Sequence, residues 1–214
     1  MISPGGFKII YFTTVVFFIL LISCYFYSNG ILRLMTIVTG IVFIFNFYFF
    51  RDPDRKVPAG DNIIISPADG TIVKITRVRE PNYFKKEVNC VSIFLSIFDV
   101  HVNRIPISGK VDYLDYRKGK FLPAFKDKAS EDNEQTIIGI KNGKGNILFK
   151  QIAGIIARRV VCNLAESDSV YQGDRFGIIR YGSRVDIFLE DNVELNVKLK
   201  DKVKGGTSII GKYK

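Results

Sequence analysis

The pair Gly182-Ser183 has the residue types needed for covalent chemistry on the chain itself. A serine hydroxyl can attack the carbonyl of the preceding residue and convert that amide into an ester. Glycine suits the step, because without a Cβ it adopts unusual backbone angles and leaves its carbonyl accessible. Elimination and hydrolysis would then leave a pyruvoyl ketone at a new N-terminus. A Gly-Ser pair between strands is more often a simple turn, so the residues alone leave both interpretations open.

Elimination and proton transfer need a general base, and His101 is the single histidine of the chain. An ordinary histidine pKa lies near neutrality, which suits proton return to a carbanion. A histidine at the end of a strand can equally be a hydrogen-bonded structural residue. Asp69, in the segment Ser66–Gly70, could orient or assist the base, although an aspartate before glycine is also typical of a turn.

Short apolar runs separated by Gly, Asn and Asp follow Pro53 and must position these side chains. Their spacing predicts a β-rich sandwich or barrel without long helices. The predicted strands are Asn62–Ser66, Thr71–Arg77, Val88–Phe98, Gly109–Tyr116, Thr136–Asn142, Gly145–Gly154, Val185–Leu189 and Val193–Lys198.

Two apolar runs, Ile9–Tyr27 and Ile31–Phe50, precede this domain. Each has about the 20 residues that a helix needs to cross a hydrocarbon core, and their short polar link predicts a helical hairpin. Arg33, close to the turn, also permits a re-entrant hairpin. A pair of buried core helices is the alternative, but a chain of this size could hardly cover both. The flanking cations predict that both ends of the hairpin and the following domain are cytoplasmic. These cations are Lys8, Arg51, Arg55 and Lys56.

The formal net charge of +10 favours a polyanionic partner, either nucleic acid or an anionic membrane face. The apolar hairpin favours the membrane, and no basic stripe interleaved with aromatic residues indicates nucleic-acid binding. The three cysteines have no CxxC spacing and lie in apolar surroundings, which argues against a zinc site or disulfide framework and indicates a reducing compartment.

Taken together and in order, six segments resemble the phosphatidylserine decarboxylase family in its short, single-hairpin proenzyme form. The likeness extends over nearly the whole chain. These segments are Phe49–Pro53, Ser66–Gly70, the predicted strand leading into His101, Gly119–Glu134, Ala153–Cys162 and Arg175–Asp186.

The resemblance implies a membrane hairpin at 1–50 and a catalytic domain at 51–214. It further implies self-cleavage at Gly182-Ser183 into a larger chain, 1–182, and a smaller chain, 183–214, that begins with the pyruvoyl group. That group would replace pyridoxal phosphate as the electron sink, and no metal is expected. The resemblance also favours catalytic roles for Asp69 and His101.

The expected substrate is a membrane phospholipid, phosphatidylserine, which would be converted to phosphatidylethanolamine and carbon dioxide at the inner membrane. Arg104, Arg158 and Arg159 could bind its phosphate or carboxylate. The polar loop Phe121–Glu134 could cover its headgroup or could be a solvated surface loop. A homo-oligomer of processed units is compatible with the sequence. Longer bacterial relatives carry a second histidine where this chain has Arg104, and commonly a threonine where it has Arg184.

Two other functions remain open from the residues alone. A membrane-tethered β-barrel binding or adaptor module would use Gly182-Ser183 only as a turn and would remain a single intact chain. A pyruvoyl enzyme acting on a soluble amino-acid derivative is the second alternative, but a soluble substrate gives no reason for an apolar hairpin.

Overall fold

The computed structural model describes residues 1–27, 29–119, 132–154 and 160–214. These residues form two compact units, Met1–Asp54 and Arg55–Lys214. The first is helical and the second consists of strands.

The N-terminal unit is a helical hairpin. A short 3-10 turn, Pro4–Gly6, leads into α1, Phe7–Phe26, and α2 follows at Gly30–Phe49. The Asn29 side chain caps α2 by accepting a hydrogen bond from the backbone N–H of Ile31 at 2.8 Å. Most apolar side chains of the hairpin face outward, as expected for helices surrounded by lipid. Both helices are long and apolar enough to cross a membrane.

The second unit is mainly β, as the sequence predicted. Its strands among the described residues are β1 Ile63–Ile65, β2 Gly70–Glu80, β3 Lys86–Leu95, β4 Val102–Arg104, β5 Gly109–Arg117, β6 Gln135–Asn142, β7 Gly145–Ala153, β8 Val160–Cys162, β9 Ser169–Val170, β10 Arg175–Ile179, β11 Ser183–Leu189, β12 Val193–Leu195, β13 Lys202–Val203 and β14 Ile209–Tyr213.

These strands form a large curled sheet and two small ones. The large sheet has the order β13-β2-β3-β11-β7-β6-β5-β9, and the small sheets have the orders β4-β10-β8 and β1-β14-β12. Strand β11 lies near the middle of the large sheet and pairs antiparallel with both β3 and β7 along its whole length. Its first residue, Ser183, is held opposite Leu95 on one side and Ala153 on the other.

Alternation along β11 separates the two faces of the large sheet. Val185, Ile187 and Leu189 pack into the main core, whereas Phe188 belongs to a smaller apolar cluster on the opposite face. Because side chains alternate with a period of two, Ser183 shares the face of the main core and Arg184 lies on the other. Ser183 is buried, with none of its surface exposed.

Two strand boundaries differ from the sequence-based prediction near the proposed chemistry. The strand predicted to run to Phe98 ends at Leu95, because Ser96–Asp99 form a turn. The strand predicted to begin at Val185 begins at Ser183. Ser183 therefore lies at the start of a strand and His101 follows a turn. At both positions the backbone geometry is more tightly specified than in a free loop.

Candidate active site

The backbone before Ser183 adopts two successive left-handed conformations. Tyr181 has a φ of 53° and Gly182 a φ of 75°. Glycine takes this conformation without steric cost, but a tyrosine with positive φ is uncommon and indicates a locally constrained turn. Among the described residues, a Cβ on Gly182 would meet only Ile97 Cγ2, at 4.0 Å. The turn thus combines unusual backbone angles with a glycine that no described side chain crowds.

The Ser183 hydroxyl is a buried polar group that has no hydrogen-bond partner among the described residues. Leaving a buried hydroxyl unsatisfied is costly, and such groups in native proteins need an explanation. A nucleophile aimed at a neighbouring peptide carbonyl is one explanation, because its hydrogen bond would form only during the reaction. The unsatisfied hydroxyl oxygen also fits the expectation that residue 183 is later converted into a group without a hydroxyl.

His101 contacts the same turn. The backbone N–H of Gly182 donates to His101 Nε2 at 3.3 Å, while His101 Nδ1 lies 3.0 Å from the carbonyl oxygen of Asp99. A carbonyl can only accept, so Nδ1 carries the proton and Nε2 presents its lone pair to the turn. The imidazole is fully buried. The structure therefore brings together His101, Gly182 and Ser183, all three of which the sequence selected.

The turn Ser96–Asp99 holds the histidine in place. The Asp99 carboxylate accepts from the backbone N–H of Ser96 at 2.8 Å, and the N–H of Asp99 donates to the Ser96 carbonyl at 2.9 Å. These bonds aim the Asp99 carbonyl at His101 Nδ1 and so fix the tautomer. Burial raises the pKa of the Tyr181 phenol, which therefore stays protonated near neutral pH.

The segment after His101 is fastened to the large sheet by a buried amide pair. Gln151 Nε2 of β7 donates to Asn103 Oδ1 of β4 at 2.8 Å, and both side chains are fully buried. The backbone N–H of Ile179, in β10, also donates to the His101 carbonyl at 3.3 Å. Nothing in the sequence pattern singled out this amide pair, because Asn103 and Gln151 are 48 residues apart.

Asp69 occupies a different environment from His101. Its carboxylate accepts two hydrogen bonds from Arg55, at 2.5 and 2.7 Å, and a third from the backbone N–H of Gly205 at 2.9 Å. Arg55 was missed as a partner of Asp69, although it follows the Phe49–Pro53 segment closely. The Asp69 turn is linked to the histidine segment through the backbone, where the N–H of Arg104 donates to the carbonyl of Pro67 at 2.9 Å.

We expect Asp69→Asn to destabilise the catalytic domain rather than to change catalysis alone. The side chains of Arg55 and Asp69 are only 9% and 12% exposed, so the variant would leave a nearly buried guanidinium without its counter-charge. Breaking such a pair costs about 3–5 kcal/mol. Chemical denaturation of the detergent-solubilised protein measures this loss. The double variant Arg55→Met/Asp69→Leu is the control, because removing both charges should recover part of the stability.

Of the three arginines predicted to bind substrate, Arg104 lies among the described residues. Arg104 is buried in β4, and its Nη1 donates to the carbonyl of Gly173 at 3.0 Å. Its side chain also packs against Gly206, where an added Cβ would lie 2.6 Å from Arg104 Cδ. Arg158 and Arg159 lie outside the described residues, as does most of the predicted loop Phe121–Glu134. Across 1–27, 29–119, 132–154 and 160–214, no three His, Cys, Asp or Glu side chains form a metal-binding group.

Comparison with known proteins shows that this chain belongs to a class of decarboxylase enzymes. The family model described as phosphatidylserine decarboxylase matches residues 42–211. A relative from Wolbachia sp. subsp. Brugia malayi, named phosphatidylserine decarboxylase proenzyme, is 52% identical over 168 residues, covering 76% of this chain and 73% of the relative. A protein of the same name from Chlorobium phaeobacteroides is 42% identical over 213 residues, covering 100% of both chains. The chain belongs to the phosphatidylserine decarboxylase family.

Proposed function

We propose that this protein is a self-processing, pyruvoyl-dependent phosphatidylserine decarboxylase that acts at the membrane surface. The single observation that supports the chemistry best is the contact of His101 Nε2 with the backbone of Gly182. The neighbouring Ser183 hydroxyl is buried, and no described residue offers it a hydrogen bond. A turn that served only to connect two strands would need neither a histidine with a fixed tautomer nor a buried hydroxyl without a hydrogen bond.

In the proposed processing step, Ser183 Oγ attacks the Gly182 carbonyl carbon, and the amide nitrogen takes up the proton. The product is an ester between Gly182 and the Ser183 side chain. Removal of the Ser183 α-proton then expels the Gly182 carboxylate and leaves a dehydroalanine, which hydrolyses with release of ammonia. The left-handed Tyr181-Gly182 turn supports this step, because positive φ at a tyrosine places strain on the backbone before Ser183.

His101 is proposed as the base for processing and as the group that returns a proton after carbon dioxide leaves. Its Nδ1 proton is engaged by the Asp99 carbonyl, so Nε2 is the nitrogen available for proton transfer. The pyruvoyl group, once formed at position 183, supplies an electrophilic carbonyl that draws electrons from the substrate carboxylate. Asp69 is proposed to act as a positioning residue, since in the described part of the chain the Ser66–Asp69 turn contacts the histidine segment through the backbone of β4.

Membrane attachment through the hairpin would place the active site near a substrate whose two acyl chains stay in the bilayer. The outward apolar surface of α1 and α2 supports this proposal. We further propose that the catalytic domain is cytoplasmic, because Lys8 precedes the hairpin and Arg51, Arg55 and Lys56 follow it.

Intact mass spectrometry of the purified wild-type protein tests this function directly. We expect two chains, 1–182 and 183–214, with the smaller chain lighter by one ammonia than a peptide beginning with Ser183. The same preparation should release carbon dioxide from phosphatidylserine in mixed micelles. A single uncut chain of 24.3 kDa in folded protein from its native membrane would instead support the adaptor function. Two chains without activity on phosphatidylserine would keep the processing but reject the substrate.

A further inference from the structure

A cavity lies on the face of the large sheet opposite the main core. It has a volume of about 470 Å³ and is formed by strands β2, β3, β5, β6, β7 and β11 together with the β2–β3 turn. Arg184 and Asp186 of β11 line it, whereas Ser183 points to the other face. The cavity is therefore separate from the candidate active site, although it begins one residue after the cleavage position.

The lining of this cavity is strongly basic. Five cationic side chains line it, against one carboxylate, that of Asp186. The Asp186 carboxylate already forms an ion pair with Arg184, whose Nε donates to Asp186 Oδ1 at 2.6 Å. Arg184 Nη2 also donates to Ser92 Oγ at 2.8 Å. The five cations are Lys74, Arg79, Arg117, Lys150 and Arg184.

Arg79 and Lys150 form no ion pair with a carboxylate in the described part of the chain. Arg79 lies at the exposed edge of the cavity and Lys150 lies within it. Burial lowers the pKa of the Lys150 ammonium, and the nearby carboxylates of Asp186 and Glu80 only partly oppose this. Burial raises the pKa of the Cys90 thiol in the same wall to about 12, so Cys90 adds no negative charge. Lys150 is thus a partly desolvated cation that an incoming anion would stabilise further.

We propose that this cavity binds a phosphate-bearing anion, with Lys150 and Arg79 as its main ligands. Guanidinium and ammonium groups bind phosphate oxygens by charge-assisted hydrogen bonds. The neutral donors Asn82 and Gln135 at the wall can complete such a site. The phosphate could belong to a lipid headgroup or to a soluble phosphorylated molecule, and the recognising chemistry is the same. The site does not depend on the pyruvoyl chemistry proposed at Ser183.

Binding of inorganic phosphate to the full chain, measured by titration calorimetry in neutral detergent, tests this site. We expect saturable binding to the wild type, and Lys150→Met should weaken it by roughly tenfold or more, the loss of one charge-assisted contact. Lys212→Met is the matched control, because Lys212 is an exposed lysine of β14 outside the cavity and the variant should bind like the wild type. Arg79→Ala, at an exposed position, should weaken binding in the same direction and keeps the test valid if Lys150→Met fails to fold.

The two sources of phosphate can be separated in nanodiscs. If a lipid headgroup occupies the cavity, nanodiscs containing phosphatidic acid should raise the apparent Kd for inorganic phosphate compared with pure phosphatidylcholine nanodiscs. If the ligand is soluble, phosphatidic acid should have no effect and glycerol 3-phosphate should displace phosphate. The absence of saturable binding at millimolar phosphate, or equal binding by wild type and both cavity variants, would overturn the proposal. Dimerisation that Lys150→Met abolishes, without phosphate binding, would replace it with an acidic protein partner.

Discussion

Ser183→Ala is expected to yield one uncut chain of 24.3 kDa and to lower decarboxylation to background. The variant removes the only atom that can attack the Gly182 carbonyl in the proposed step, so neither the break nor the electrophile can form. Alanine fits the first position of β11 without new contacts, and the lost hydroxyl has no partner among the described residues. The variant should therefore be at least as stable as the unprocessed wild type.

Two further variants make this result specific. Ser183→Cys keeps a side-chain nucleophile and should be processed at least in part, although more slowly or with a different end product. Ser169→Ala, at an exposed serine that begins β9, should be processed like the wild type. If Ser183→Ala still gave two chains, the assignment of the cleavage site would be wrong.

His101→Ala is expected to lower decarboxylation per processed chain by roughly 10²–10⁴-fold, the range typical for loss of one general acid or base. Because His101 also contacts Gly182, the same variant should slow processing. Intact mass must therefore be measured first, and activity must be expressed per mole of the 183–214 chain. Unchanged decarboxylation per processed chain would contradict proton return by His101.

A structural role for His101 can be distinguished from a chemical one. Gln can accept the hydrogen bond from the Gly182 N–H but cannot transfer a proton, so His101→Gln should preserve the turn without restoring activity. Added imidazole should rescue His101→Ala, because the truncation leaves a space beside Gly182 for a free base. Rescue by glutamine and no response to imidazole would assign His101 a purely positioning function.

Most of the catalytic domain could be predicted from alternation and turn residues. The eight predicted strands all exist, and their centres agree with β1, β2, β3, β5, β6, β7, β11 and β12. The short strands β4, β8, β9, β10, β13 and β14 were missed. These strands have two to five residues and so carry little alternation of their own, and they form because other segments supply their hydrogen-bond partners.

The sequence by itself determined the apolar hairpin, the β-rich domain, and the residue types at 101, 182 and 183, because composition and local pattern are properties of the chain alone. Tertiary structure decided which groups meet. Arg55 binds Asp69 across 14 residues, and Asn103 binds Gln151 across 48. His101 reaches Gly182 across 81 residues, because β3 delivers the turn before the histidine beside the start of β11. Such contacts depend on strand register, which is set by long-range pairing and burial and cannot be read from local spacing.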